Sequence, residues 1–88
     1  MRVDFKQSFS KDLKKIKDKS LLDKIKNVIL EIEQANNIYQ IKNVKKLKIE
    51  GDYFRIKIKD LRIGILIKEN IVIFIRALPR KDIYKFFP

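Results

Sequence analysis

The sequence predicts an α+β domain. Its antiparallel β-sheet combines a short amino-terminal strand with a three-stranded carboxy-terminal meander, and an αα-hairpin packs on one face. Two observations predict this fold. Apolar residues recur every three or four positions between residues 9 and 35, which is the period of a helix, and every two positions between residues 54 and 77, which is the period of a half-buried strand. Each pattern leaves one apolar face that needs a partner, so we expect the two faces to cover one another.

The amino-terminal part is predicted to hold one strand and the first helix. Residues 2–5 alternate charged and apolar side chains and are expected to form the short strand. Phe9, Leu13 and Ile16 then follow at helical spacing. Ser8 is the expected N-cap of this helix, because its hydroxyl can accept a hydrogen bond from a free backbone N–H.

A second, longer helix is predicted to follow. Ser20 with Asp23 three residues later resembles a capping box, and Asn36 and Asn37 are expected to end the helix. A broad apolar stripe lies between these signals: Leu21, Leu22, Ile25, Val28, Ile29, Ile32 and Ala35. The two helices then form a hairpin whose stripe faces the sheet.

Residues 38–49 fit two interpretations. Their apolar residues could anchor either a basic connecting segment or a short strand. The four lysines among them face either solvent or a phosphate backbone: Lys42, Lys45, Lys46 and Lys48. Residues 50–52 (EGD) are the expected turn into the meander.

The register of the first hairpin in the meander can be predicted from its loop. If residues 59–60 form a two-residue loop, Lys57 lies opposite Arg62 and Arg55 lies opposite Gly64. Both pairs then lie on the sheet face that points away from the helices.

A three-residue loop at residues 68–70 is the expected connection of the second hairpin. It pairs Arg62 with Arg76, Gly64 with Phe74 and Leu66 with Val72. The helix-facing rows are then apolar throughout: Phe54/Ile65/Ile73, Ile56/Ile63/Ile75 and Ile58/Leu61/Ala77. A two-residue loop would turn Arg76 toward the isoleucines, because a slip of one residue reverses every side chain. The predicted register gives a rung of three cations, Lys57, Arg62 and Arg76. No carboxylate within the strands relieves their repulsion, so an anionic ligand is indicated.

The carboxy-terminal tail begins at Pro79, which has no N–H and should end the last strand. Residues 80–87 are predicted to form a short helical turn or an extended tail. Three apolar side chains are expected to pack down onto the body: Ile83, Phe86 and Phe87. Arg76 is expected to tie strand to tail, for instance through an ion pair with Asp82 or with the terminal carboxylate.

Composition limits the possible functions. The 88 residues suffice for one domain and include no cysteine and no histidine, which excludes disulfides, thiolate metal sites and a catalytic imidazole. We expect neither a metal nor a cofactor. The net charge of +11 favours a polyanionic partner, with nucleic acid ahead of an acidic protein, although a generally lysine-rich proteome would also explain part of it. With no apolar leader or membrane span in the sequence, a cytoplasmic protein is expected.

Four segments together resemble the RelE/ParE superfamily, the toxins of toxin–antitoxin pairs. They are FSKDLKKIKD, IKNVKKLKIEGDYFRIKIKDLRIGI, IVIFIRAL and PRKDIYKFFP, and they cover nearly the whole chain. The run DYFRIKIKDLRIGI is similar to the family's YRIRIGDYRIGI, and RKDIYKFFP is similar to its HRKDIYRYFP. The resemblance implies a RelE-like fold over residues 1–88 and a ribosome-dependent mRNA endonuclease that is silenced by a cognate antitoxin.

The resemblance also implies which residues act. Arg55 and Lys57 match basic positions on the family's first meander strand, and Arg62 matches its central-strand arginine. Arg80 and Tyr84 match the arginine and the tyrosine of its carboxy-terminal segment. Pro79 departs from the pattern, because many relatives have histidine there and others lysine.

The chemistry of these side chains suits metal-independent cleavage of RNA by the ribose 2′-OH. Arg62 and Arg80 are the expected ligands of the scissile phosphate, since arginine stays charged and binds phosphate oxygens bidentately. Tyr84 would stack on a base or transfer a proton, but could instead pack beside Phe86 and Phe87. Lys57 would hold a phosphate or act on protons. The other candidate RNA-binding residues are Arg55, Lys81, Lys45, Lys46 and Lys48.

Other functions compete with mRNA cleavage. Members on the ParE side inhibit DNA gyrase and generally lack the basic and aromatic set found here. Pro79 leaves open a degenerate toxin that binds its antitoxin without cutting RNA. A generic nucleic-acid-binding module is the remaining alternative.

Overall fold

The computed structural model describes all 88 residues and has the predicted α+β fold. Its elements are β1 (Arg2–Phe5), α1 (Gln7–Lys14), α2 (Lys19–Gln34), a 3-10 turn (Ile38–Gln40), β2 (Val44–Lys46), β3 (Tyr53–Ile58), β4 (Leu61–Lys68), β5 (Ile71–Pro79) and α3 (Ile83–Phe86). None of these helices combines the length and the apolar character needed to cross a membrane.

The five strands form one sheet in the order β1-β5-β4-β3-β2. β1 is parallel to β5, whereas the other neighbours are antiparallel, so the sheet is mixed rather than antiparallel throughout as predicted. The chain between β1 and β5 runs through the helix hairpin and then through β2, β3 and β4, which gives the long connection that parallel neighbours require. The segment with two interpretations forms both a 3-10 turn and the short edge strand β2, which pairs with Phe54–Ile56.

Both helices begin at residues other than those predicted. Ser8 lies inside α1, after the N-cap residue Lys6, and its hydroxyl donates a hydrogen bond to the carbonyl of Ile75 on β5. The capping box at Ser20 is also wrong, because Asp18 caps α2 and accepts from the N–H of Leu21 at 3.1 Å. An aspartate that precedes the stripe can cap as well as a serine, and capping at Asp18 starts the helix earlier.

The predicted register of the first hairpin is confirmed, and that of the second is wrong. Lys57 pairs with Arg62 and Arg55 with Gly64. At the second hairpin the loop has two residues, 69 and 70, with φ of 52° and 64°, and Lys68 pairs with Ile71. Two positive φ values are typical of the type I′ turn, whose twist matches that of the flanking strands.

A two-residue loop by itself would turn Arg76 toward the helices, and a β-bulge in β5 prevents this. Ile65 pairs with Phe74 while Gly64 pairs with Arg76, so Ile75 is an extra residue in β5. The helix-facing side chains of β5 are therefore Val72, Phe74 and Ala77 rather than Ile71, Ile73, Ile75 and Ala77. Arg62 faces Leu78, so the predicted rung of Lys57, Arg62 and Arg76 does not form.

The core lies between the helices and one face of the sheet. Its most deeply buried side chains, none more than 2% exposed, are Phe9, Ile25, Ile32, Ile56, Ile63, Ile65, Val72 and Phe74. Phe9 and Phe74 pack with ring centroids 5.2 Å apart, joining α1 to β5. This packing covers one face of the sheet, and the opposite face is covered only in part.

The tail packs on that other face. Ile83 and Phe87 are buried, and the Phe87 ring lies so close to Gly64 that a Cβ there would be 2.6 Å from it. Gly64 therefore allows the tail to approach the sheet. Phe86 does not pack down as predicted, because it is 58% exposed, and its ring lies 5.6 Å from the guanidinium carbon of Arg76.

Candidate functional site

The sheet face opposite the helices carries a group of basic side chains that we call the basic face: Lys45, Arg55, Lys57 and Arg62. Alternation along β2, β3 and β4 turns them all to the same side. Lys45 pairs with Arg55, and Lys57 pairs with Arg62. Directly opposed side chains on a sheet have Cβ atoms about 4.5–5.5 Å apart, so these positive charges lie close together.

No carboxylate neutralises the basic face. The ion pairs of the chain join Lys46 to Asp52, Arg76 to Asp12 and Lys85 to Asp82, and none of them includes a residue of the basic face. Arg55 donates from Nη1 to the carbonyl of Asn43 at 3.3 Å, which orients the guanidinium without cancelling its charge. Like charges held opposite one another repel, so an anionic ligand would stabilise this arrangement.

Arg62 is the most buried cation of the face, at 7% exposed. Its Nη1 donates to the carbonyls of Lys59 and Leu61, at 2.8 and 3.1 Å, and these bonds turn the guanidinium toward the β3–β4 loop. Its other two nitrogens, Nε and Nη2, make no hydrogen bond within the chain. Every fully buried side-chain nitrogen of this protein has a hydrogen-bond partner, so these two are not fully buried. Those two nitrogens therefore still contact solvent, and they can donate to a phosphate.

Arg80 lies close to the Arg62 end of the sheet. Its backbone N–H donates to the carbonyl of Asp60 at 2.8 Å, which ties the start of the tail to the β3–β4 loop. The Arg80 side chain is exposed and makes no ion pair. Pro79, just before it, ends β5 as predicted; it lies opposite Leu61 and is exposed.

Tyr84 projects from α3 and is 61% exposed. Its ring makes no aromatic contact with Phe86 or Phe87; Phe87 packs edge-on against Tyr53 instead, with centroids 5.7 Å apart. The packing alternative for Tyr84 is therefore wrong, and the phenol is available to a ligand. Buried Ile83, next to it in the chain, anchors the short helix that carries it.

Three of the candidate RNA-binding lysines lie apart from the basic face. Lys46 pairs with Phe54, so it points to the helix side, where its Nζ lies 3.2 Å from Asp52. Lys48 follows β2 in an irregular segment, and Lys81 is exposed in the turn before α3. Of these candidates, β2 brings only Lys45 to Arg55.

Asp12 is the residue that sequence reasoning missed. It is 4% exposed and accepts from Nε and Nη2 of Arg76, at 2.8 and 3.1 Å, and from the N–H of Ala77, at 2.9 Å. Hydrogen bonding to Asp12 raises the pKa of Arg76 above its ordinary value, against the lowering by burial. Arg76 is structural, as predicted, but its partner is Asp12 rather than Asp82. The sequence did hold one signal for this role: Asp12 is an acid three residues after Phe9, on the apolar side of a basic helix.

A groove of about 780 Å³ opens beside this ion pair, between the α1–α2 connection, the β3–β4 loop and the tail. Its apolar lining includes Ile16, Leu21, Leu61, Leu78 and Phe86. A second, smaller cleft of about 380 Å³ lies between α2 and β3, and seven of its eleven lining residues are polar or charged. No three acidic side chains come together as potential metal ligands.

The comparisons with known proteins agree with this fold. The family model described as the ParE toxin of the parDE type II toxin–antitoxin system matches residues 3–84. Toxin RelE3 of Methanocaldococcus jannaschii is 38% identical over 89 residues, with 100% of both chains covered.

Solved structures give the same result. The RelB–RelE antitoxin–toxin complex from Methanococcus jannaschii contains a chain that is 35% identical, with a TM-score of 0.83 over 97% of this chain and 99% of that one. YafQ from E. coli has a TM-score of 0.64 at 16% identity, over 99% of this chain and 100% of its own, and shows the fold alone. With a family model matched over almost its entire length and a full-length relative at 38% identity, this chain belongs to the ParE/RelE family of toxins from type II toxin–antitoxin systems.

Proposed function

We propose that this protein acts as a metal-independent endoribonuclease, cutting mRNA in the decoding site of the ribosome and thereby inhibiting translation. The observation that carries the proposal is the unneutralised basic face, with Arg62 held by two carbonyls beside the tail that bears Tyr84. The likeness to Toxin RelE3 supports it. A polyanion is the ligand that such a surface is built to accept.

In the proposed reaction the 2′-oxygen of a ribose attacks the adjacent phosphorus while the bond from phosphorus to the 5′-oxygen breaks. The products are a 2′,3′-cyclic phosphate and a 5′-hydroxyl, so one proton leaves the 2′-OH and one is delivered to the 5′-oxygen. The extra negative charge at phosphorus falls to Arg62 and Arg80, whose guanidinium groups bind phosphate oxygens without losing their own charge.

Lys57 and Tyr84 are proposed to transfer the protons and to position the substrate. Lys57 is exposed opposite Arg62, and Tyr84 presents its phenol from α3. Stacking of a base on an exposed aromatic ring contributes about 1–3 kcal/mol per base, so Tyr84 can also orient the nucleotide. The chain offers no imidazole and no obvious strong base, which fits an enzyme whose substrate geometry is imposed by the ribosome.

The proposed protein partner is a cognate antitoxin. The Methanococcus jannaschii relative was solved as an antitoxin–toxin complex, and this chain carries a net charge of +11. An acidic amphipathic segment would complement both the basic face and the apolar lining of the 780 Å³ groove. Covering the basic face in this way would keep the toxin silent.

Gyrase inhibition is the second candidate, and the description of the matched family model, ParE toxin, favours it. The intact set of Arg62, Arg80 and Tyr84 favours RNA cleavage. A toxin that no longer cuts is the third candidate, because Pro79 has neither a proton to transfer nor a charge.

Primer extension on an mRNA translated in a reconstituted system tests the proposal. The variants are Arg80→Ala, Tyr84→Phe and Arg62→Lys, which keeps a positive charge and a donor for the loop carbonyls. Lys26→Ala, an exposed lysine on α2, is the matched control. We expect cuts that require translation, fade at least tenfold in the three site variants and persist in the control.

Uncut mRNA with unimpaired translation would refute the cleavage proposal. A DNA supercoiling assay with gyrase then distinguishes the second candidate from the third. Inhibition of supercoiling supports the ParE-type activity, and silence in both assays supports a toxin that only binds its antitoxin.

A further inference from the structure

We propose that the polar cleft between α2 and β3 binds phosphate groups of RNA, extending the basic face around the edge of the sheet onto the helix side. The proposal rests on the proposed function, since the ligand is the same RNA. It assigns a role to Lys24 and Lys59, neither of which belongs to the predicted site.

The cleft exists because β2 is short. β2 pairs with Phe54–Ile56 alone, and Asn43 just before it bonds Lys57, so only the last residue of β3, Ile58, lies on an open edge of the sheet. α2 passes alongside this edge and leaves about 380 Å³ of open space between the two. The Asn43 carbonyl accepts from the backbone N–H of Lys57 at 3.0 Å and from Arg55, which fixes one wall of the cleft against the basic face.

The charges that line the cleft suit an anion. Beside four apolar residues, the cleft is lined by one acid, Glu31, and by four lysines and two asparagines: Lys24, Lys42, Lys57, Lys59, Asn27 and Asn43. None of the four lysines is in an ion pair. Lysine binds phosphate as a point charge, and the asparagine amides add neutral donors.

Lys24 on α2 and Lys59 in the β3–β4 loop carry the argument further, because both line the cleft. The nearness of Lys59 lowers the pKa of Lys24, and Asp18 acts in the opposite direction. Two like charges placed near one another repel, and an anion bound between them would relieve that repulsion. A phosphodiester supplies one negative charge with two free oxygens, enough to accept from both lysines.

Continuity with the basic face favours RNA over an acidic protein segment. Lys57 belongs both to the cleft and to the basic face, so one backbone can follow Arg62 and Lys57 and then turn over the open β3 edge to Lys59 and Lys24. Charge separates the two depressions as well: the cleft is lined by four lysines and one acid, whereas the larger groove is lined by four basic and four acidic residues.

The test is the salt dependence of binding to a fluorescein-labelled single-stranded RNA of 20 mixed nucleotides, measured by anisotropy without ribosomes. The variant Lys24→Gln/Lys59→Asn removes both charges. Asparagine suits position 59 because the residue there has a φ of 53°, which asparagine tolerates. The control Lys26→Gln/Lys68→Gln removes two exposed charges that line neither depression, so the net charge of the two variants is the same.

We expect the slope of log K against log salt to become shallower by about 0.7 in the cleft variant, the value for one phosphate contact on a single strand, and to stay within experimental error in the control. Equal changes in both variants would overturn the proposal, as would a wild type that does not bind the RNA. Equal far-UV circular dichroism and urea midpoints establish that both variants are folded.

Acetylation of lysines with a water-soluble active ester, read by mass spectrometry, gives a second measurement. The RNA should protect Lys24, Lys59 and Lys57 and leave Lys26 reactive. Protection of Lys24 and Lys59 by poly-L-glutamate but not by RNA would overturn the proposal in favour of an acidic protein partner. Because neither measurement involves cleavage, a protein that binds RNA through the cleft and fails to cut mRNA would refute the proposed function alone.

Discussion

Removing the Asp12 carboxylate should destabilise the fold well beyond what the loss of a surface acid would do. The Asp12 side chain is 3% exposed, and that of Arg76 is 23% exposed. Asp12→Ala breaks three hydrogen bonds, two from the Arg76 guanidinium and one from the N–H of Ala77. Breaking a buried pair from one side costs about 3–5 kcal/mol, because the remaining charge is left without a partner.

The expected loss is reduced by the partial exposure of Arg76, since its guanidinium can recover some hydration. We therefore expect about 2–4 kcal/mol for Asp12→Ala. For a domain of this size that corresponds to a fall in Tm of roughly 10–25 °C. A double-mutant cycle with Arg76→Met should return a coupling energy of about 2 kcal/mol, because the two residues act as one unit.

Urea unfolding followed by far-UV circular dichroism measures these changes. The exposed ion pair Lys46–Asp52 is the matched control, with side chains 49% and 63% exposed. Asp52→Ala should cost less than about 1 kcal/mol, as surface pairs do. A loss below about 1 kcal/mol for Asp12→Ala, or coupling no larger than in the control pair, would refute the view that this ion pair joins α1, β5 and the tail.

Three further predictions concern packing, the backbone and pH. Gly64→Ala should displace the tail, because its Cβ would lie 2.6 Å from the Phe87 ring; we expect a loss of about 1–3 kcal/mol in urea unfolding, and an unchanged midpoint would contradict the close approach. Glu69→Gly should raise stability by about 0.5–1 kcal/mol, since glycine adopts a φ of 52° without steric cost; a lower urea midpoint would count against it. Lys24→Met should raise the urea midpoint at pH 7 but not at pH 11. Lys59 lowers the pKa of Lys24, so the penalty on the charged form is present at neutral pH and disappears as pH rises through the lowered pKa; an equal gain at both pH values would exclude this cause.

Local patterns in the sequence suffice for most of the elements. The apolar stripe of α2 and the alternation along β3 and β4 each repeat with one period over many residues, so propensity and burial favour the same structure. The register of the first hairpin follows as well, because a two-residue loop and the charge pattern select the same pairing.

β5 shows where that reasoning ends. Its run from Ile71 to Ile75 is apolar at every position, so alternation does not select the face that points to the helices. The choice depends on the parallel partner β1 and on the packing of Phe74 against Phe9, both distant in the chain. With Phe74 facing the helices, strict alternation would turn Arg76 toward them as well, and the bulge at Ile75 turns it to the opposite face. A bulge leaves no signal in a continuous apolar run.

The candidate site divides in the same way. Strand alternation and the register of one hairpin place Arg55, Lys57 and Arg62 on the basic face. The sequence determines both by itself. The ion pair of Asp12 with Arg76, 64 residues apart, and the placement of Lys24 and Lys59 in one cleft were decided only by the tertiary structure. The physical reason is range: alternation and turn chemistry act between neighbours in the chain, whereas these residues come together only after the helices and the sheet have packed.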